Sequence, residues 1–378
     1  MVARQAHNLK VVGSNPTPAT KKMLNQQLKS LTFKIRWETM TETVLLTGAS
    51  GYIGLHCAKE LIEAGYAVRG TVRSQAKAQE VRETLAEASV DTANLSLVEL
   101  DLNSDHGWND AAAGCGFIMH LASPYILANP KNPNEMISPA VKGTLRVLNA
   151  AKKASAKRVV LTSSTLAMQG HMKFGKFTPD SWTDLDAPNI STYIKSKTLA
   201  EKAAWDFVKR QNDDSPIEMV VMSPGVLFGP PLGKNITGQT MSAFDQILRG
   251  KIPLVPKFAL PTVDVRDVAK LHVQALTLPA ASGKRIIVAG AEPNGMLDAT
   301  KILKTEGYKG PSTRVAPNFL LRVVALFDRE AKGMLGYLGM DVSCDNSETR
   351  EMFDWTPIPF KQSVLETAVA VKSIQNKA

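Results

Sequence analysis

The chain's 378 residues, 44% hydrophobic and 21% charged, describe an ordinary soluble composition with apolar material for one large α/β domain or a domain with a smaller lobe. The net charge of +10 does not make a nucleic-acid binder: residues 1–39 hold seven basic residues against Glu38 alone, a net +6, which leaves only +4 on the remainder. Cys57, Cys115 and Cys344 are too scattered for a disulfide framework or a metal site and fit a reducing cytoplasm, while the longest apolar run, Phe319 to Phe327, contains Arg322 and falls short of the ~18 residues of a membrane span.

Residues 1–39 lack sustained periodicity and contain the coil signal Ser14-Asn15-Pro16-Thr17-Pro18. They read as an extension outside the domain, with Met40, directly before the first strand, as the expected start; a basic targeting peptide is the alternative. From there strand and helix patterns alternate. Thr43-Val44-Leu45-Leu46 has the pattern of a buried parallel strand, and Ile53, Leu55, Ala58, Leu61 and Ile62 recur at helical spacing after it. Between them lies Thr47-Gly48-Ala49-Ser50-Gly51-Tyr52-Ile53-Gly54, a glycine-rich strand-to-helix turn. In that context Gly48 allows the tight turn, Gly51 lets the backbone approach a pyrophosphate and Gly54 lets helix and strand pack closely, with the helix start facing the phosphates.

The pattern continues with a strand from Tyr66 to Val72 ending at Arg73, a helix over 76–88, and a strand from Ser96 to Leu100 ending in Asp101. A strand at Phe117–His120 leads into Leu121-Ala122-Ser123-Pro124, and a helix covers 134–154. The fifth strand, Arg158 to Leu161, ends at Thr162-Ser163-Ser164; a helix spans Ser191 to Gln211, and a sixth strand, Ile217 to Met222, closes at Ser223-Pro224-Gly225. Such alternation predicts an α/β fold, a Rossmann-type doubly wound parallel sheet with ligand groups at the strand C-terminal ends. Residues 40–228 read as the cofactor-binding domain carrying the catalytic residues. Residues 229–378 read mostly as a smaller C-terminal substrate lobe interleaved with late sheet elements, including a strand over Arg285 to Val288 and a final helix after Pro357 and Pro359.

Tyr193 and Lys197 stand four residues apart and so share a helix face. A phenol with an ordinary pKa near ~10 is a weak acid or base at neutral pH. An ammonium one turn away is expected to lower it, so that the phenol exchanges a proton with a carbonyl oxygen. Ser163 or Ser164 at the end of the fifth strand can polarise the same oxygen, but neighbouring strand residues point to opposite faces, so one of the two reaches the site.

The ordered set Thr47–Gly54, Asp101, Leu121–Pro124, Leu161–Ser164, Tyr193/Lys197 and Ser223–Gly225 resembles an extended short-chain dehydrogenase/reductase of the NAD-dependent epimerase/dehydratase family. Gly70-Thr71-Val72-Arg73-Ser74, His120-Leu121-Ala122-Ser123-Pro124, Pro139 to Thr144, Ser181 to Asp184 and Lys197 to Trp205 make it similar, more narrowly, to the dihydroflavonol reductase, cinnamoyl-CoA reductase and aldehyde reductase group. The resemblance covers residues 43 to about 370. It implies Tyr193 as general acid, Lys197 as its modulator and ribose ligand, and Ser164, second of the serine pair, as the polarising hydroxyl. It further implies Asp101 and Leu102 at the adenine, with Leu121, Ala122, Ser123, Pro224 and Val226 around ribose and nicotinamide; the competing reading of Asp101 is a helix N-cap. The chain departs from the plant enzymes around Tyr125 to Asn129, over 167–178, and in lacking their Lys-Asn-Trp-Tyr-type motif.

Cofactor choice rests on Arg73, where the second strand ends beside the adenosine ribose. With Ser74 and Lys77 following and no carboxylate before Glu80, a 2′-phosphate is favoured and NADP(H) expected. The expected activity is NADPH-dependent reduction of a small-molecule aldehyde or ketone by a monomer or homodimer, without nucleic acid, membrane or metal. Two rivals remain at this point. A nucleotide-sugar epimerase/dehydratase usually carries an acid where Arg73 stands, and a non-catalytic cofactor-sensing regulator usually lacks the Tyr/Lys pair.

Overall fold

The structure, a computed structural model, describes residues 42–124, 130–212, 216–234, 236 and 239–377. The expectations for residues 1–39 and Met40, and for the loop Tyr125 to Asn129, lie outside the described residues.

Two-residue alternation explains why the strands pair and why helices cover both faces. Along β1 (Thr43–Thr47), β4 (Phe117–His120), β5 (Arg158–Thr162) and β7 (Glu218–Pro224), the side chains of Leu45, Ile118, Val159 and Val221 fill one core, while Leu46, Met119, Val160 and Val220 fill the other. Both sets are fully buried, so neither face can be left to water. Helices α1 (Tyr52–Glu63) and α5 (Val265–Ala275) bring Leu61, Val268 and Leu271 to the second core. Helices α3 (Asn134–Lys153) and α4 (Thr192–Lys209) bring Val147, Leu148 and Ala204 to the first.

The main sheet has seven parallel strands in the order β10-β7-β5-β4-β1-β2-β3, where β2 is Ala67–Val72, β3 Leu95–Glu99 and β10 Arg285–Val288. The doubly wound sheet expected from the alternation is present. Chain order reverses between β1 and β4, which opens a crevice at their C-terminal ends. Helix α2 (Gln75–Glu87) connects β2 to β3, and Ser74 caps it by accepting from the Lys77 N–H. The sixth expected strand runs later than the sequence pattern suggested, to Pro224, because Ser223 and Pro224 still pair beside β10.

Two small sheets had no counterpart in the sequence reading. β8 (Val226–Phe228), β9 (Leu260–Asp264) and β11 (Pro293–Asn294) form one. β6 (Phe174–Phe177) and β12 (Asp341–Cys344) form the other, a parallel pair. β6 hides from pattern reading because three of its four residues are exposed and its partner lies far along the chain. The chain ends in α6 (Phe360–Lys377). Among the described residues no helix is long and apolar enough to cross a membrane, and the Phe319 to Phe327 run lies partly in a short helix, Asn318–Val324.

The β1–α1 turn tolerates no added atom at Gly54, where a Cβ would stand 2.1 Å from the Gly48 carbonyl oxygen. We expect Gly54→Ala to cost about 3 kcal/mol or more, since backbone must move to admit the methyl. An unchanged urea midpoint would overturn this.

Three buried imidazoles are kept neutral. Burial pulls His56 and His272 down to about 4 and His120 down to about 3. In the unfolded chain each takes up a proton near ~6.5, so as the pH falls below that value the unfolded state binds protons the fold refuses. Stability therefore drops between about pH 6.5 and 4. Urea midpoints measured at pH 7.5 and pH 5 should differ, the acid one lower; equal midpoints would contradict the burial of neutral histidine.

Candidate active site

Gly48 takes a left-handed backbone (φ +73°), which a glycine adopts without strain, and its N–H donates to Thr71 Oγ1 at 3.1 Å. The next residue's N–H, on Ala49, donates to the Thr71 carbonyl, and the Gly51 N–H turns back to the Gly48 carbonyl at 3.0 Å. A Cβ on Gly48 would press to 3.1 Å from the Ala122 backbone, so the turn and the end of β4 are in near contact. Gly51 is exposed and N-caps α1 without any side-chain hydrogen bond, and Ser50 beside it is half-buried. A bare, glycine-lined helix start with outward N–H groups suits a pyrophosphate. The side chains of Tyr52 and Ile53 face elsewhere. The Tyr52 hydroxyl donates to the Gly229 carbonyl at 2.6 Å, edge-on to His56, and burial pushes its pKa up; Ile53 packs on the core.

Thr47 joins this turn to β4. Its Oγ1 accepts the Leu121 and Ala122 N–H groups at 3.1 and 3.0 Å and lies 2.7 Å from His120 Nδ1. With both lone pairs engaged, the hydroxyl proton goes to Nδ1, and neutral His120 carries its own proton on Nε2. Ser123 lines a small cavity with His120, Thr162, Lys197 and Glu201.

At the expected adenosine end, Arg73 is exposed and makes no ion pair among the described residues. Lys77 is engaged, its ammonium 2.5 Å from Glu80. Asp101 is not a helix cap: Oδ1 accepts from the Asn103 backbone at 2.8 Å in a local turn, and the next helix begins only at Trp108. Leu102 is half-buried against Gly143, and its carbonyl accepts from Arg146 at 2.6 Å.

The two serines lie just past the end of β5, and both turn to α4, each to a different residue. Ser163 donates into the buried Glu201 carboxylate. Ser164 is hydrogen-bonded to the Tyr193 hydroxyl and accepts the Leu166 N–H at 3.2 Å. Tyr193 lies in the first turn of α4, capped by Ser191 Oγ, which accepts the Ile194 N–H. Lys197, one turn on, donates to the Thr162 carbonyl at 3.0 Å.

The expectation that Lys197 lowers the Tyr193 pKa is not what this geometry produces. Burial raises the phenol well above its ordinary value, the neighbouring Tyr337 adds to the rise, and the Ser164 hydrogen bond opposes it. Burial likewise pulls Lys197 down to about 8, against the pull of Glu201. Desolvation outweighs the pairing because both groups are buried and the ammonium is turned to a backbone carbonyl.

Pro224 is buried, its carbonyl accepting the Thr165 N–H, and Val226 opens β8 half-buried, packed on the same inner cluster as Leu166 and Phe258. Three neighbours of the site had no role assigned from sequence. Glu201 also accepts from Arg285 Nε at 2.6 Å and from the Trp205 indole at 3.3 Å, and the Arg285 guanidinium lies 3.7 Å from the Trp182 ring centre. The only local signal for Glu201 is its place four residues after Lys197; Arg285 and Tyr337 come from distant segments and carry none.

The profile of the NAD dependent epimerase/dehydratase family matches residues 44–290. A cinnamoyl-CoA reductase of Medicago truncatula is 37% identical over 65% of this chain and 75% of that protein. A ketoreductase of Aspergillus niger is 33% identical over 67% of this chain and 79% of that one. The Candida albicans protein Gre2, solved in complex with NADPH, superposes with a TM-score of 0.71 at 27% identity, over 88% of this chain and 99% of its own. Spanning the glycine turn, the strand ends and the Tyr–Lys helix, the profile match makes this chain a member of the NAD dependent epimerase/dehydratase family.

Proposed function

We propose that the chain is an NADPH-dependent reductase of a small aldehyde or ketone. The observation that carries the reading is the Ser164–Tyr193 hydroxyl pair, set beside Lys197 at the C-terminal end of β5 and across the crevice from the glycine turn. NADPH, when bound, supplies a hydride to the carbonyl carbon.

The chain's own residues do the rest. Ser164 and Tyr193 donate to the carbonyl oxygen, and Tyr193 gives up its proton as charge develops there. A raised pKa suits this direction: the phenol is fully protonated at neutral pH and is a poor base for the reverse oxidation. The Lys197 ammonium, already anchored on the Thr162 carbonyl, stabilises the phenolate left behind and reaches the ribose hydroxyls. Backbone N–H groups at Tyr52 and Ile53, with Gly48, Ser50, Gly51 and Gly54 shaping the turn, take the pyrophosphate. Leu121, Ala122, Ser123, Pro224 and Val226 frame the nicotinamide ribose, and Asp101 and Leu102 border the adenine.

Arg73 takes the 2′-phosphate, and Lys77 joins it once released from Glu80. An exposed arginine in that place disfavours the epimerase/dehydratase alternative, and the Tyr193–Lys197 pair disfavours a cofactor sensor. Residues 40–228 are the cofactor unit and 229–378 mostly the substrate lobe, with 1–39 an extension. Three buried, free cysteines support a reducing cytoplasm, where the protein works as a monomer or homodimer.

Tyr193→Phe should lower kcat by about 10²–10⁴-fold, the usual contribution of a general acid, with NADPH affinity nearly intact. NADPH absorbance with a panel of aldehydes, ketones and UDP-sugars, alongside a fluorescence titration of the cofactor, measures both. Retention of a tenth of wild-type turnover would refute the role of Tyr193.

Arg73→Ala should cut kcat/KM for NADPH by about 10–100-fold, the value of a charge-assisted phosphate contact, and leave the NADH value little changed. A wild type that prefers NADH, or an unaltered preference in the variant, would remove Arg73 from the cofactor site.

A further inference from the structure

Leu166, Met172, Val226, Phe258 and Tyr337 pack on an inner cluster that includes Met168, Phe177 and Met340, yet each leaves part of its surface uncovered. Leu166 donates its N–H to Ser164 Oγ and Tyr337 acts on Tyr193, so through these two residues the half-open apolar wall reaches the Ser164–Tyr193 hydroxyl pair. No side chain in the wall is charged.

Tyr337 comes from the last part of the chain, in a single 3-10 turn, Leu335–Tyr337. Its hydroxyl is hydrogen-bonded to the side chain of Ser191, the same Oγ that caps the helix of Tyr193. Its ring stands 5.8 Å from that of Phe258 at a 35° tilt. The turn is fixed from both sides. A Cβ on Gly336 would meet the Asn189 carbonyl oxygen at 2.8 Å, and Lys173 Nζ donates to the carbonyls of Gly336 and Leu338 at 2.7 and 3.2 Å. The β6–β12 pair then carries the chain away. The ring therefore cannot swing clear without breaking contacts on the segment that leads into α4. It is close enough to Tyr193 for its charge state to raise that phenol's proton affinity.

We infer that Tyr337 is a specificity-determining residue: its ring is the lobe-side wall against which the substituent on the substrate carbonyl packs, selecting compact, uncharged alkyl groups. This rests on the reductase reading above. A longer chain meets a ring tethered through its hydroxyl and its flanking backbone, and a carboxylate beside the carbonyl would be desolvated among Leu166, Met172, Val226 and Phe258.

The test compares wild type, Tyr337→Ala, Tyr337→Trp and Tyr337→Phe as full-length proteins with NADPH and propanal, butanal, hexanal, octanal and glyoxylate. Wild type should favour the short alkanals and be slowest with glyoxylate. Tyr337→Ala should raise the octanal-to-propanal ratio of kcat/KM by about tenfold or more, chiefly through KM, as one or two methylenes in an apolar pocket allow. Tyr337→Trp should move the ratio the other way, and Tyr337→Phe, which keeps the ring, should preserve the wild-type order; NADPH affinity should be unchanged in all three. If Tyr337→Ala is not recovered folded, the Trp substitution decides. An unchanged chain-length order in Ala and Trp overturns the role of Tyr337 while leaving the reductase reading intact. A preference of wild type for glyoxylate also overturns it. Failure of wild type to oxidise NADPH with these aldehydes overturns the role of Tyr337, and failure with the ketones of the wider panel as well overturns both.

Discussion

Glu201 is 1% exposed, and donors from separate parts of the chain converge on its carboxylate: Ser163 at the end of β5, Trp205 one turn further along α4, and Arg285 at the start of β10. A lone carboxylate there would be too costly to keep charged. Its guanidinium partner is in turn stacked on Trp182 and donates to the carbonyls of Pro179 and Ser181. Buried pairs of this kind contribute little net stability, but removing one partner strands the other. Their structural value here is that they hold Ser163 on Glu201, while Ser164, one residue further past the end of β5, meets Tyr193 in the first turn of the same helix α4.

The same geometry sets the electrostatics of the site. Lys197 and Tyr193 occupy one helix face, yet both are withdrawn from water, and each is shifted toward its neutral form. A neutral phenol waiting beside a hydroxyl is a proton source; a phenolate would be a proton sink. Histidine is excluded from that exchange, since His120 spends one nitrogen on Thr47 and is too deeply buried to charge.

Much of this was legible in the residues. Strands buried on both faces print continuous apolar runs, and β1, β2, β4 and β5 begin and end within about a residue of those runs. The spacing of Tyr193 and Lys197 gave their common face, but alternation stops at the end of β5, and Ser163 and Ser164 both turn to α4 instead of to opposite faces. Spacing does not encode depth, however, and depth decided the sign of the Tyr193 shift. Nor does it encode which partner a side chain finds: Tyr52 belongs to the glycine turn by position but spends its hydroxyl on Gly229. β6, β12 and Tyr337 were illegible for a different reason, being short or solitary features whose meaning comes from a segment far away in the chain.

The β6–β12 pairing imposes an order on how the molecule is made. A ribosome releases β1 through β5, and then α4 with Tyr193 and Lys197, long before Asp341–Cys344 can emerge. Until then Phe177, fully buried in the finished protein, has lost part of its cover, and the edge of β6 is open to other chains. A nascent chain would thus assemble its glycine turn first and the segment of Tyr337 last. A chain that stopped before the final strand would keep the edge of β6 unpaired, the kind of open edge on which another strand can add.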